Sequence, residues 1–106
     1  MSKQTILVVD DEKDLLDLIE YNLRKEGYDV LKADDGEKGI EIAREQKPDL
    51  VLLDIMMPKM DGVEVCRHLR SKPEFDKTVI AFLTAREEDY WDSFKIFVCA
   101  DLVTYL

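Results

Sequence analysis

Acidic residues follow two short apolar segments of this sequence, and a hydroxyl residue follows a third. They are Asp10 and Asp11 after residues 6–9, Asp54 after residues 50–53, and Thr84 after residues 79–83. In an open parallel α/β sheet, the carboxyl ends of the strands form the edge where ligands bind. Carboxylates that meet there repel each other unless they share a cation, and Mg²⁺ prefers such oxygen ligands. The pattern predicts an acidic, metal-assisted site that can handle a phosphoryl group.

The elements that would position these residues alternate between strand and helix patterns. The first helix is indicated by Leu15, Leu16, Ile19 and Leu23, which recur at helical spacing and stop at Gly27, a natural residue after a helix end. Similar alternation continues to about residue 90 and predicts the order β-α-β-α-β-α-β-α. Residues 102–105 permit a fifth strand. Right-handed crossovers between parallel strands give a doubly wound α/β sheet with helices on both faces.

Composition limits the class of protein. A chain of 106 residues allows one domain with a single core. Its net charge of −9 argues against direct contact with nucleic acid or an anionic membrane, because both select for positive patches. No apolar stretch is long enough to span a bilayer, and residues 1–4 lead into the first strand without a signal peptide, which predicts a cytoplasmic protein.

Three further side chains are interpreted as structural. Cys66 and Cys99 have no metal-ligand spacing, and we expect both to be reduced packing residues. His68, the single histidine, lies in the third predicted helix, far in sequence from the carboxylates. We expect it to be a surface or interface side chain and not a phosphocarrier or ligand.

Three motifs carry a family resemblance. They are ILVVDDE at residues 6–12, PDLVLLDIMMP at 48–58 with MDG at 60–62, and FLTAR at 82–86. Together they resemble the receiver domain of two-component response regulators over about four-fifths of the chain. The resemblance implies a flavodoxin-like parallel sheet of strand order 2-1-3-4-5. It also implies a single receiver domain over 1–106, without an output domain, that takes a phosphoryl group from a sensor histidine kinase or phosphotransfer protein.

Carried over to this sequence, the resemblance assigns a metal and an acceptor. Asp54 would be the phosphoacceptor, attacking the phosphorus of a phosphohistidine to form an acyl phosphate. Asp11 would bind Mg²⁺ directly, and Asp10 would assist through a water or as a neighbouring acceptor. The backbone carbonyl of Met56 would supply another oxygen. The ion would neutralise charge on Asp54 and on the phosphoryl oxygens together.

The third motif completes the implied site. The Thr84 hydroxyl would donate a hydrogen bond to a phosphoryl oxygen, and the small side chain of Ala85 would leave the phosphate accessible. Such a domain is a phosphoacceptor that assists its own phosphotransfer and dephosphorylation, and we do not class it as an enzyme.

Simpler roles are open for the same residues. Asp10 or Asp11 can cap the first helix, since aspartate is common just before a helical segment. Asp54 can be a turn residue at the end of a strand. Thr84 can cap a helix that contains Glu87, which is compatible with a phosphate contact.

The resemblance weakens after Arg86. Receivers carry a lysine about twenty-two residues past the threonine, where it pairs with the acceptor carboxylate. Leu106 stands at that position, or Tyr105 if one deletion is allowed, and the nearest lysine is Lys95. An alternative function follows from this departure: a degenerate or truncated pseudo-receiver that acts only as a protein-interaction module.

The carboxy-terminal segment supports two structural expectations. Residues 90–98 are apolar and aromatic, and we favour a helix there, although residues 94–98 also alternate like a strand. The family's last helix is lacking, so we expect an uncovered apolar sheet face. With Tyr90, Phe94 and Phe97 at helical spacing, that face would favour a homodimer.

A third class, an enzyme or cofactor binder on the same architecture, fits the sequence poorly. A flavin-binding relative needs a hydroxyl-rich and glycine-rich phosphate loop after the first strand, where Asp10, Asp11 and Glu12 would repel phosphate. A phosphatase of the haloacid-dehalogenase type needs a second aspartate two residues after the nucleophile, and this chain has Met56 there.

Overall fold

The computed structural model describes residues 3–84 and 95–98. These residues alternate between strands and helices in the predicted order as far as the fourth strand. The elements are β1 (Thr5–Val9), α1 (Lys13–Lys25), β2 (Asp29–Ala33), α2 (Gly36–Gln46), β3 (Leu50–Asp54), α3 (Gly62–Arg70), a 3₁₀ turn (Pro73–Phe75), β4 (Val79–Thr84) and β5 (Lys95–Val98). Within the described part of the chain, no helix is long and apolar enough to cross a membrane.

The five strands form one sheet in the order β2-β1-β3-β4-β5. The strands β1 to β4 all run parallel to one another, which confirms the predicted doubly wound arrangement for this part of the sheet. Their register aligns the carboxyl ends: Val9 pairs with Ala33 on one side and with Leu53 on the other, and Asp54 pairs with Leu83. Residues that follow β1, β2, β3 and β4 therefore meet along a single edge of the sheet.

Each face of the sheet is covered by helices because the side chains of a strand alternate between its faces. Ile6 and Val8 of β1 face α1 and pack in one cluster with Leu15 and Leu16. Leu7 and its alternating neighbours face the other way and pack with residues of α2 and α3. The β1 and β3 strands are buried on both faces, which explains their continuous apolar sequences. They form a rigid base for the residues at their carboxyl ends.

The fifth strand corrects two expectations. The first is the helix favoured for residues 90–98, which is wrong at residues 95–98 because they form β5. The second is a sheet in which all strands are parallel, because β5 runs antiparallel to β4. Phe97 pairs with Phe82, and Ile96 pairs with Leu83. Two physical features favour the strand: Ile96, Phe97 and Val98 have high β-propensity, and the edge of β4 offers backbone groups that need hydrogen-bond partners. The predicted strand at residues 102–105 lies outside the described residues.

The expected uncovered apolar face is not seen where the structure describes the sheet. Leu52, Ala81 and Leu83 lie on the α1 face of the sheet, and they are only 5%, 1% and 4% exposed. Phe97 lies in a strand, so the helical spacing proposed for the aromatic residues does not apply to it. The low exposure of this face argues against the expected homodimer, while Tyr90 and Phe94 lie outside the described residues.

Candidate metal-binding site

Three carboxylates meet at the carboxyl edge of the sheet. Asp10 and Asp11 follow β1 directly, and Asp54 is the last residue of β3. Asp10 extends the pairing of β1 by donating its N–H to the carbonyl of Ala33, 3.1 Å away. One carboxylate oxygen from each aspartate lies within 4.8 Å of the other two. The structure thus brings together the three acids that the sequence placed at this edge.

Asp10 is the buried member of this aspartate cluster, at 1% exposure. Its Oδ1 accepts the N–H of Glu12 at 2.8 Å, whereas its Oδ2 is buried and has no hydrogen-bond partner. Burial raises the pKa of Asp10 from 3.8 to about 7, against the opposing effect of the Glu12 N–H. The negative charges of Asp54 and Asp11 raise this pKa further. A buried carboxylate oxygen without a donor, surrounded by like charge, fits a cation as its partner.

Asp54 is half-buried and oriented by the loop that follows it. Its Oδ1 accepts the N–H of Met56 at 3.1 Å. Burial raises the pKa of Asp54, the Met56 N–H lowers it, and the charge of Asp11 raises it again. A hydrogen bond with the Asp10 side chain lowers this pKa as well. The carboxyl group is therefore held by the Met56 N–H and repelled by the charge of Asp11. A hard divalent cation shared by Asp10, Asp11 and Asp54 would relieve that repulsion.

The helix-capping alternative for the two adjacent aspartates is not what the structure shows. Glu12 occupies the N-cap position of α1, and its side chain makes no capping hydrogen bond. Asp10 instead accepts the N–H of Glu12, which fixes the chain between β1 and α1. The alternative role of Asp54 as a turn residue agrees with the hydrogen bond that it accepts from the Met56 N–H. This hydrogen bond is compatible with metal binding.

The sequence and the structure both match a known family. The family model described as "Response regulator receiver domain" matches residues 6–98. The chain belongs to the response regulator receiver family. It is a receiver domain of two-component signalling, as the three sequence motifs predicted.

Among curated proteins, this receiver is similar to the alkaline phosphatase synthesis transcriptional regulatory protein PhoP of Bacillus subtilis. The two are 48% identical over 85 residues, which cover 80% of this chain and 35% of the relative. The chain thus spans about a third of the length of that protein.

Solved receivers have the same fold. The N-terminal domain of a response regulator receiver protein from Methanoculleus marisnigri JR1 is 40% identical with a TM-score of 0.76, and the match covers 80% of this chain and 69% of that one. The chemotaxis protein CheY4 of Vibrio cholerae is 26% identical with a TM-score of 0.74, over 82% and 74% of the two chains.

The remaining predicted site residues of the receiver are placed less completely. Met56 lies beside the cluster, because its N–H binds Asp54, and its side chain is 83% exposed. Thr84 ends β4 one residue beyond Leu83, the partner of Asp54, so its backbone lies at the edge that carries the aspartates. Ala85 lies outside the described residues. The roles of the Met56 carbonyl, the Thr84 hydroxyl and Ala85 stay predictions.

The two side chains interpreted as structural within the described residues are where we expected them. His68 is exposed on α3, and Cys66 is buried in the core. Cys99 lies outside the described residues.

Sequence reasoning overlooked two acids beside the site. Asp34 and Asp35 follow β2 at the same edge, and with Asp11 and the loop 57–60 they line a cavity of about 200 Å³. Asp34 pairs with the Nζ of Lys38 at 2.8 Å, and Asp35 caps α2 by accepting the Lys38 N–H at 2.8 Å. The signal was available, because these acids follow a strand just as Asp10 does.

Proposed function

We propose that this receiver accepts a phosphoryl group at Asp54 with the help of Mg²⁺, and that the donor is a sensor histidine kinase or a phosphotransfer protein. The observation that supports this most is the cluster of Asp10, Asp11 and Asp54 within 4.8 Å, together with the partnerless Oδ2 of Asp10. A cation-binding acidic pocket beside a half-exposed carboxylate suits phosphoryl transfer, because that reaction depends on positioning and charge neutralisation.

Each residue of the aspartate cluster and its loop has a distinct role in the proposed phosphoryl transfer. The Met56 N–H holds Asp54 Oδ1, which leaves Oδ2 to attack the phosphorus of a phosphohistidine. The new O–P bond forms as the P–N bond breaks, and the bonding electron pair leaves with the imidazole nitrogen. When bound by Asp10, Asp11, Asp54 and the Met56 carbonyl, Mg²⁺ supplies positive charge that neutralises the carboxylates and the phosphoryl oxygens.

Two further residues complete the proposed acceptor site. The hydroxyl of Thr84 donates to a phosphoryl oxygen, and Ala85 leaves room for the group. The domain acts as a phosphoacceptor that assists its own phosphorylation and dephosphorylation, and not as an enzyme with a separate substrate. This assignment rests on the family resemblance and on the position of the Thr84 backbone at the edge of the sheet.

The proposed setting is cytoplasmic, with protein partners only for this region of the chain. A net charge of −9 opposes direct contact with the phosphate backbone of nucleic acid. PhoP is named as a transcriptional regulatory protein, and this chain matches 35% of it. We assign the phosphoacceptor role, and no DNA-binding role, to the matched part.

The alternative, an interaction module without phosphorylation, rests on the missing family lysine. One observation bears on it: Lys95 begins β5 and pairs in register with Thr84. The backbone of a cationic residue therefore lies beside the proposed phosphate position, from a strand that runs in the opposite direction. We propose that Lys95 takes the role of the family lysine, and for that reason we prefer the phosphoacceptor over the pure interaction module.

The test uses acetyl phosphate as a small donor, with Mg²⁺ or with a chelator, and a gel that retards phosphoproteins. We expect a retarded band with Mg²⁺ only. Asp54→Asn should remove the band, because the amide is nearly isosteric but is not a nucleophile. Asp49→Asn, which changes an exposed acid at the opposite end of β3, serves as the matched control and should leave it. A retarded band in Asp54→Asn would exclude Asp54 as the acceptor.

A further inference from the structure

Gly62, the first residue of α3, touches the backbone of the proposed acceptor. A Cβ at this position would lie 2.4 Å from the carbonyl oxygen of Asp54, 3.0 Å from its carbonyl carbon and 3.1 Å from the Cα of Ile55. Ordinary contacts of a Cβ begin at 3.4 Å. Any side chain at Gly62 would therefore require α3 and the end of β3 to move apart by about 1 Å. The obstructing atoms are backbone atoms at the end of β3, which cannot rotate away.

This contact is connected to the reactive carboxyl group. The Gly62 N–H donates to the carbonyl of Ile55 at 3.2 Å, which closes the loop 55–61 on itself. Within this loop, Met56 donates its N–H to Asp54 Oδ1. The Asp61 side chain caps α3 by accepting the Glu64 N–H at 2.9 Å, which fixes the start of the helix. A shift at Gly62 must therefore move the Asp54 backbone, the loop, or both.

A second glycine, on α2, approaches the same loop at Met60. Gly36 begins α2, and a Cβ there would lie 3.1 Å from both the Cβ and the carbonyl oxygen of Met60. It would also lie 2.8 Å from Cγ2 of Val65, a side-chain atom that can adjust. Gly36 thus allows α2 to approach the loop closely. The requirement for glycine is weaker here than at Gly62, because the contacts with Met60 are longer.

We propose that Gly62 and Gly36 are positioning residues for phosphoryl transfer: their missing side chains allow α2 and α3 to clamp the loop 55–61, which sets the position of Asp54 and of the Met56 backbone. This inference rests on the proposed function. It assigns to the glycines a role in site geometry beyond the conformational freedom for which glycine is usual in turns.

The test compares Gly62→Ala and Gly36→Ala with a control glycine. Gly27 follows α1 near the amino ends of β1 and β2, with φ +96° and nothing within 4 Å of its Cβ position. Gly27→Ala is strained by its backbone alone and should lower Tm by about 5 °C without reaching the site. For each variant, Tm, the Kd for Mg²⁺ by calorimetry and the phosphorylation rate with acetyl phosphate at saturating Mg²⁺ are measured well below the lowest Tm.

Gly62→Ala should lower the phosphorylation rate about 100-fold, since a displacement of about 1 Å at a reacting group costs that much. It should also weaken Mg²⁺ binding, because the Met56 carbonyl moves with the loop. Gly36→Ala should lower the rate several-fold. Gly27→Ala should keep the wild-type rate and Kd despite its lower Tm. A wild-type rate and Kd in folded Gly62→Ala would overturn the proposal.

The remaining outcomes are also decisive. If Gly62→Ala does not fold, Gly36→Ala decides: a rate and Kd equal to those of Gly27→Ala reject the clamp, and a slower rate with weaker Mg²⁺ binding supports it. If the wild-type protein takes no phosphoryl group, the proposed function fails, and the clamp is then judged by the Mg²⁺ Kd values alone.

Discussion

Replacing Asp10 by asparagine should stabilise the metal-free protein, and by more at high pH than at low pH. Asp10 is 1% exposed, and its pKa is raised from 3.8 to about 7, mainly by burial. A folded-state pKa above the unfolded value means that the neutral carboxyl favours folding. That stability is fully present below pH 3.8 and is lost as the pH rises through about 7.

The magnitude follows from the size of the shift. At about 1.4 kcal/mol for each pKa unit, holding Asp10 ionised in the folded state costs about 4 kcal/mol above pH 7. The asparagine side chain carries no charge, and its amide oxygen can still accept the Glu12 N–H that Asp10 accepts at 2.8 Å. The free energy of unfolding of Asp10→Asn should exceed that of wild type by about 3 kcal/mol more at pH 8 than at pH 5.

The assay is urea unfolding with a chelator present, at several pH values between 5 and 8. Asp29→Asn, which removes an exposed acid at the amino end of β2, is the matched control for net charge. Addition of Mg²⁺ should narrow the gap between wild type and Asp10→Asn, because the variant loses a carboxylate from the cation site. A gap that stays constant with pH, like that of the control, would refute the account of Asp10 as a buried, repelled carboxylate.

Three further predictions concern the metal, the lysine and assembly. Mg²⁺ should raise the Tm of the wild-type protein by mass action and raise that of Asp11→Ala less; equal increases would remove Asp11 from the ligand set. Lys95→Ala should slow phosphorylation by acetyl phosphate several-fold relative to Lys77→Ala, a surface control, whereas identical rates would show that Lys95 does not serve the site. With the expected apolar face buried at Leu52 and Leu83, sedimentation should show a monomer at tens of micromolar, and a dimer without phosphodonor would contradict this.

The sequence predicted the part of the fold that depends on regular patterns. Strands buried on both faces are continuously apolar, so residues 6–9 and 50–53 were recognisable, and the acids that end them had to meet at one edge. Gly27 was correctly placed after α1, where its φ of +96° is one that side chains rarely adopt. These features are local, and a single sequence contains the information for them.

Features that depend on tertiary contact were beyond prediction. The choice between helix and strand at residues 95–98 depended on the free edge of β4, which is a property of the sheet and not of the segment. The partnerless Oδ2 of Asp10 and the contact between Gly62 and the Asp54 carbonyl are set by the packing of separate elements. Composition and spacing indicated which residues meet, but not which oxygen is buried.

The central claim is that Asp54 takes one phosphoryl group in a reaction that requires Mg²⁺. The most direct measurement is the intact mass of the wild-type protein after incubation with acetyl phosphate, with Mg²⁺ or with a chelator, beside Asp54→Asn treated in the same way. We predict a gain of one phosphoryl unit in the wild-type protein with Mg²⁺, and none in the other samples. An unchanged wild-type mass with Mg²⁺, or an equal gain in Asp54→Asn, would contradict the account.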